Sequence, residues 1–155
     1  VSAGLLHPFV GMKARLNWRG HEGVESTLKL LRVASEASGV PVYEKRGLLR
    51  IALTDEQQKH YRETYEKHRE LDWLSADEVV ERHGSFPMRP ALYIRDSWAV
   101  FPSLYLQGLW RACAELGLLF EKRHVQSIRE LDTYDRVILA AGAELSDIEE
   151  MRSFP

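Results

Sequence analysis

Glycine and proline residues divide this chain into short segments, and their positions limit the folds that it can adopt. Gly39 followed by Pro41 ends one run of apolar residues at helical spacing, Gly84 ends a second, and Gly117 ends a third. Proline bars helix continuation and glycine commonly ends a helix, so each helical segment is short. Helical and extended segments follow one another without a regular alternation, so the pattern is neither a clean βαβ array nor that of an all-β protein.

Helices are predicted over residues 22–38, 55–70, 75–83 and 103–116. The sequences from Thr54 to Gln57 and from Ser75 to Glu78 have the capping-box pattern, in which two side chains bond reciprocally to the backbone amides of a first helical turn. Ser103 is the expected cap of the last helix. The second helix has only a narrow apolar face, so we expect it at the surface; its stripe is Tyr61, Tyr65 and Leu71.

Extended segments supply the remaining elements. Strands are predicted over residues 42–53 with an interruption at Gly47, over 91–94, and over 98–101 after a turn at 95–97. Three more are predicted near the end of the chain, over residues 118–123, 125–131 and 135–140. The mixed order of helices and strands indicates an α+β fold or an interrupted α/β fold.

Length and charge narrow the functional classes. With 155 residues the chain supports one compact core and at most part of a second domain. A formal net charge of −2 gives no bulk attraction to nucleic acid, and no apolar run approaches the ~20 residues that span a bilayer. The single cysteine, Cys113, forms no internal disulfide and fits a reducing, cytoplasmic setting.

Several motifs of known chemistry are missing from the sequence. It has no Gly-x-Gly-x-x-Gly, no phosphate-binding loop and no nucleophile elbow, and its six histidines show no metal-ligand spacing. We therefore assign no metal site. The apolar first residues and the uncapped last ones lead us to interpret the chain as an interior piece of a longer protein.

Two segments of small and apolar residues lie near the two ends of the sequence. Residues 2–8 read Ser-Ala-Gly-Leu-Leu-His-Pro, and residues 137–143 read Val-Ile-Leu-Ala-Ala-Gly-Ala. Small residues allow backbone amides to approach a ligand closely. A buried parallel strand that ends in such residues would place a dinucleotide at the carboxyl edge of a sheet.

Further landmarks lie between these segments, at residues 44–52, 72–79 and 101–104. In order and spacing the five segments resemble the FAD-dependent oxidoreductases of the D-amino-acid-oxidase-like family. Val125 stands where that family has a valine whose backbone meets the adenine. Glu144 departs from the pattern, because the family frequently has an aromatic residue there.

The resemblance implies an architecture and a set of cofactor contacts. An incomplete FAD-binding region of the Rossmann-like α/β type would comprise residues 1–41 and 97–155, and a substrate lobe built on an antiparallel sheet, residues 42–96, would be inserted into it. Within this lobe we expect strand 48–53 to pair with strand 91–95 in a half-buried sheet, with one of its faces on the helices at 55–70 and 75–83. No catalytic residue is assigned, because the family's substrate-holding Arg and Tyr lie mostly beyond this sequence. The residues expected to contact FAD through their backbone are Ser2, Ala3, Gly4, Leu5, Val125, Ala141 and Gly142.

The same resemblance implies oxidation of a C–N bond in a small amine or amino acid, with hydride transfer to the flavin and reoxidation by dioxygen. Small-amine oxidases such as glycine oxidase are similar to this chain. So is the oxidase half of the enzyme that matures 5-methylaminomethyl-2-thiouridine in tRNA, which leaves a modified wobble uridine as an alternative substrate. No membrane partner is expected.

An alternative of another class is a globular module without catalytic activity. A flavoenzyme of this type needs a glycine-rich turn to hold the pyrophosphate, and this sequence contains none. We therefore expect the 155-residue chain alone to bind FAD weakly or not at all, and to be inactive by itself.

Overall fold

The computed structural model describes residues 4–84 and 87–152. Contacts divide the chain into two units, Val1–Leu118 and Leu119–Pro155. The strands of the first unit are β1 (Leu5–Leu6), β2 (Phe9–Val10), β3 (Arg15–Leu16), β4 (Tyr43–Lys45), β5 (Leu48–Ile51), β6 (Leu71–Leu74), β7 (Ala91–Ile94) and β8 (Trp98–Val100). Its helices are α1 (Gly20–Ser38), α2 (Asp55–Tyr65), α3 (Ala76–His83) and α4 (Pro102–Glu115). Among the described residues, no helix combines the length and apolar character needed to cross a membrane.

Local capping signals account for several of the helix boundaries. Gly39 ends α1 in the left-handed conformation, with φ 73°, and the predicted capping box of α3 is present between Ser75 and Glu78. At α2 the Thr54 hydroxyl accepts a bond from the Gln57 amide, but the Gln57 side chain accepts from the amide of Leu53 rather than Thr54. The box at α2 is therefore shifted by one residue.

Two helix predictions are wrong in detail. The second helix was expected to reach residue 70 but ends at Tyr65, and Leu71 lies in β6, where it pairs with Ile94. Strand pairing thus takes a residue that the apolar stripe had placed on the helix. The last helix begins at Pro102 with Phe101 as its cap and no side-chain bond, because proline is favoured in the first helical turn.

The predicted pairing of strand 48–53 with strand 91–95 is confirmed. β5 and β7 are antiparallel, with Leu48 opposite Ile94 and Ile51 opposite Ala91, and β6 pairs with the other edge of β7. Strand β8 does not join this sheet. It pairs with β1 and β4 instead, so residues 95–97 connect two sheets rather than two strands of one hairpin.

The sheet β5-β7-β6 is covered on both faces, whereas we predicted both helices on one face. Leu92 and Ile94 pack in a cluster with Tyr61 of α2, and Ala91 and Tyr93 belong to a second cluster with Val79 of α3. Side chains alternate between the two faces of a strand, so α2 and α3 lie on opposite faces. The continuous apolar character of residues 91–94 reflects this double burial.

Helices α1 and α4 pack closely through a glycine that sequence reasoning did not single out. A Cβ atom added to Gly108 would lie closer than 3.0 Å to the backbone of Ala34, where real Cβ atoms essentially never lie. Leu31, Ala34 and Val42 form the buried centre of this packing. The backbones of the two helices therefore meet at Gly108.

The second unit contains no β-ladder within residues 119–152, so the strands predicted over residues 118–123, 125–131 and 135–140 are wrong for this structure. A strand persists only when a neighbour takes its backbone hydrogen bonds. Leu119 and Ile138 have exposures of 94% and 92%, so no partner covers these segments among the described residues. Short 3₁₀ helices form instead, at Ile128–Leu131, Gly142–Asp147 and Glu149–Met151.

Candidate cofactor and substrate site

The residues predicted to contact a cofactor lie in both units. In the first unit Gly4 immediately precedes β1 and Leu5 is its first residue, while Val125, Ala141 and Gly142 belong to the second unit. Ser2 and Ala3 fall outside the described residues. A joint site formed by these residues stays a prediction, and the local geometry of each group follows from its own unit.

Gly4 must be glycine for a reason that lies within the fold. Its φ is +68°, and a Cβ atom would lie closer than 3.0 Å to the carbonyl oxygen of Val100. The Val100 amide donates a 2.6 Å hydrogen bond to the Gly4 carbonyl. Strand β8 thus approaches Gly4 closely on this side, and this contact fixes the backbone that leads into Leu5. The flavin contact of Gly4 stays a prediction.

Leu5 lies on an open cavity of about 560 Å³ in the first unit. The Leu5 side chain is 54% exposed, so its apolar surface is available to a ligand. The lining comes from β1, the β2–β3 hairpin, β5 and α2: Leu5, His7, Val10, Gly11, Met12, Leu48, Arg50, Gln57 and Tyr61. None of these residues is acidic.

Arg50 supplies the permanent charge of this cavity. Its guanidinium donates to the carbonyl oxygen of Phe9 at 3.0 Å and to that of Gly11, and it lies 5.3 Å from the centre of the Tyr61 ring. The two hydrogen bonds use two of the five guanidinium N–H groups. Arg50 therefore holds the β2–β3 turn in place and retains donors for a further acceptor.

His7 is a polar residue of the cavity, and one of its ring nitrogens has no hydrogen-bond partner among the described residues. Its Nδ1 atom is buried and makes no hydrogen bond within the described part of the chain. Burial lowers the pKa of His7 below its ordinary value of 6.5, the Arg50 guanidinium lowers it further, and the Phe9 backbone partly opposes both. The imidazole is accordingly neutral at pH 7.

The lowered pKa of His7 leads us to predict that the stability of the fold depends on pH. Because its pKa is lower in the folded state, the unfolded chain takes up the proton first, and stability falls as the pH drops from 6.5 towards the folded pKa. His7→Asn removes this contribution, so the loss of Tm between about pH 7.5 and about pH 5 should be smaller in the variant. An NMR titration of the His7 ring with a midpoint at or above 6.5 would contradict the prediction.

Three residues of the second unit were predicted to contact FAD. Ala141 is exposed, and Gly142 has φ +59° with open space where a Cβ would stand. Val125 is half-buried. Residues 136–140 are neither strand nor helix, so the strand that we expected to carry Ala141 and Gly142 is not formed here.

The described residues hold no group of three or more His, Cys, Asp or Glu side chains that would bind a metal ion. Sequence reasoning missed Arg50 and His7. One feature of the sequence could have indicated Arg50, because this charged residue stands between Leu49 and Ile51 in a predicted strand. No such feature indicated His7, because it was indistinguishable from the other histidines.

Comparison with known proteins provides a family and a fold. The family model described as FAD dependent oxidoreductase matches residues 1–154. No curated protein matches. Glycine oxidase from Geobacillus kaustophilus is similar in structure, with a TM-score of 0.67, 21% sequence identity, and coverage of 81% of this chain and 37% of that one.

Glycine oxidase from Bacillus cereus ATCC 14579 gives a TM-score of 0.54 at 22% identity, with 72% of this chain and 32% of that one covered. The chain thus spans about a third of the length of these two oxidases. At these identities the likeness shows the fold, which is of the mixed helix and strand type that the sequence predicted.

Proposed function

Because this chain belongs to the family of FAD-dependent oxidoreductases, we propose that its protein oxidises a C–N bond of a small amine or amino acid. When bound, FAD supplies the redox chemistry by accepting a hydride from the substrate carbon, and dioxygen takes the electrons from the flavin. The residues of this chain bind, orient and exclude water. We propose FAD contacts at Ser2, Ala3, Gly4, Leu5, Val125, Ala141 and Gly142.

The cavity at Leu5 is the observation that carries the proposal. It joins an apolar residue of the proposed cofactor region to Arg50 and Tyr61 of the proposed substrate lobe. This junction supports our assignment of residues 42–96 as the lobe that covers the substrate and of 1–41 and 97–155 as the FAD-binding region. Ligand sites commonly form where two such regions meet.

Three of the lining residues have a defined role in this proposal. Leu5 offers an apolar surface to the flavin ring, and the neutral His7 leaves an unpaired ring nitrogen for a polar atom of a ligand. Arg50 favours a negatively charged group in the cavity, since no carboxylate lines it. A small amino acid carries such a group beside its amine.

The proposed function is tested with the protein expressed from its complete reading frame. We expect anaerobic addition of glycine, sarcosine or another small amine to bleach the flavin absorbance, and readmission of air to restore it with release of hydrogen peroxide. A parallel arm uses bulk tRNA in place of the amine. Reduction by tRNA alone would replace the proposed substrate, and no reduction by any amine would refute the proposal.

A pair of leucine variants tests the proposed cofactor contact in the same protein. Leu5→Asp should weaken FAD binding about tenfold or more, because it places a charge against the apolar ring. Leu30→Asp is the matched control, since Leu30 has a similar exposure, 50% against 54%, and lies on α1 away from the cavity lining. Equal FAD affinities in the two variants, measured by flavin fluorescence, would remove Leu5 from the site.

A further inference from the structure

A second cavity of about 210 Å³ lies in the first unit between α1, β2 and the segment that joins β7 to β8. It shares no lining residue with the cavity at Leu5. Its lining is Pro8, Phe9, His21, Val24, Glu25, Leu28, Glu70, Ile94, Asp96 and Trp98. Apolar groups thus form the walls, and carboxylates are the charged groups that accompany them.

Glu70 differs from the other two carboxylates of this cavity. Glu25 pairs with Lys29 at 3.3 Å, and Asp96 pairs with Lys45 at 2.6 Å. In the described part of the chain Glu70 has no lysine or arginine partner. Its Oε1 atom lies 3.3 Å from the Nε2 atom of His21 and 3.5 Å from the Nδ1 atom of His68.

The environment of Glu70 restricts its access to water. Its side chain is 30% exposed, and both histidines meet the fully buried Phe9 edge-on, with ring centres 6.3 Å away for His21 and 5.0 Å for His68. An ammonium ligand would give the Glu70 carboxylate a permanent positive partner that none of the described residues supplies. Partial burial strengthens such a pair relative to one in bulk water.

We propose that this cavity binds a small organic cation, an ammonium group on a compact aromatic or branched aliphatic body. The ammonium pairs with Glu70, and the apolar body contacts Phe9, Ile94 and Trp98. The volume is below the ~300–1,000 Å³ of sites for drug-sized molecules, which sets the size of the ligand. Anionic ligands are disfavoured because Glu25, Glu70 and Asp96 all lie in the lining.

Trp98 adds a second feature that suits a cation. The Lys45 ammonium already lies 5.7 Å from the centre of its ring, so the ring attracts positive charge in this structure. The inference does not rest on the proposed oxidation of a C–N bond. It concerns a separate cavity and holds whether or not the flavin reaction is the one proposed.

The test uses the 155-residue chain and three probes of one shape: benzylamine, benzyl alcohol and benzoate. Two-dimensional NMR should show saturable shifts at Leu28, Ile94 and Trp98 with benzylamine, with a Kd on the order of 1 mM. Benzyl alcohol should bind about tenfold more weakly, and benzoate should cause no shift there. Equal binding of benzoate, or no saturable shift with benzylamine, would overturn the proposal.

Variants identify the group that recognises the charge. Glu70→Gln should weaken benzylamine binding about tenfold and bring it level with benzyl alcohol. Glu66→Gln is the matched control, because Glu66 is 63% exposed, pairs with Arg62 and is absent from the lining. It should leave the affinity unchanged.

Glu70→Gln also removes the carboxylate that His21 and His68 contact, and a change of structure there would weaken binding as well. A second variant therefore tests the site with Glu70 in place. Val24→Phe fills the cavity from α1 and leaves Glu70 in place, so it should abolish the binding of both benzylamine and benzyl alcohol. Unchanged benzylamine binding in Val24→Phe would place the ligand elsewhere and overturn the proposed site.

Discussion

Gly108→Ala should destabilise the first unit by about 3 kcal/mol, because the added methyl group has no space between two helices. The nearest atoms to its Cβ are the backbone oxygen, carbon and Cα of Ala34, all closer than 3.0 Å. Backbone atoms in the middle of a 19-residue helix cannot turn aside as a flexible side chain does. Helices α1 and α4 would have to move apart along the contact that buries Leu31 and Val42.

Gly23→Ala provides the matched control for this prediction. Gly23 is also helical, in α1, and a Cβ atom there meets nothing within 4 Å. Alanine is the better helix former, so this variant should gain about 0.5–1 kcal/mol. Chemical denaturation monitored by circular dichroism gives both values, and a Gly108→Ala protein as stable as Gly23→Ala would disprove the close helix contact.

Gly4→Ala is expected to cost about 3 kcal/mol or more, as the sum of two effects. The left-handed backbone at φ +68° penalises any residue with a Cβ, and the Cβ atom would also collide with the Val100 carbonyl oxygen. Relieving the collision breaks the 2.6 Å bond from the Val100 amide to the Gly4 carbonyl. Strand β1 would then separate from β8 next to the proposed cofactor contact.

Gly11→Ala separates these two effects. Gly11 has the same φ of +68°, but a Cβ atom there meets nothing within 4 Å. This variant should therefore lose only about 1–2 kcal/mol, the cost of the left-handed conformation. Equal losses in Gly4→Ala and Gly11→Ala, measured by thermal and chemical denaturation, would show that the contact with β8 adds nothing.

The agreement between sequence and structure is closest where the deciding interaction is local. Ser75 and Glu78 satisfy each other's backbone amides within a single turn, so their spacing alone predicts the start of α3. Gly39 ends α1 for the same kind of reason, since its conformation is accessible to glycine at little cost. The pairing of β5 with β7 was also predictable, because both runs carry apolar residues matched to a sheet.

The family was recognisable from sequence for a different reason. Short motifs lie at positions where the backbone must approach another group closely or where a strand must end, and the family has these motifs in a fixed order. The family match over residues 1–154 agrees with that order. The cofactor follows from the family. The roles of individual residues do not, and Gly4 illustrates this, because its contact with Val100 is a structural reason for glycine that no motif contains.

The sequence by itself determined the end of α1, the start of α3, the pairing of β5 with β7, the mixed fold class and the family. The two helix ends depend on neighbours in the chain, the pairing follows from the apolar pattern of both strands, and the family follows from the order of the motifs. Tertiary structure alone decided which sheet β8 joins, that α2 and α3 cover opposite faces, and that Gly108 sets the distance between α1 and α4. It also brought His7 beside Arg50, 43 residues away in the sequence, and gave Glu70, among residues 4–84 and 87–152, imidazole partners alone. Such features depend on backbone segments and charged groups that are distant in the sequence but close in the fold, and a local sequence pattern contains no information about them.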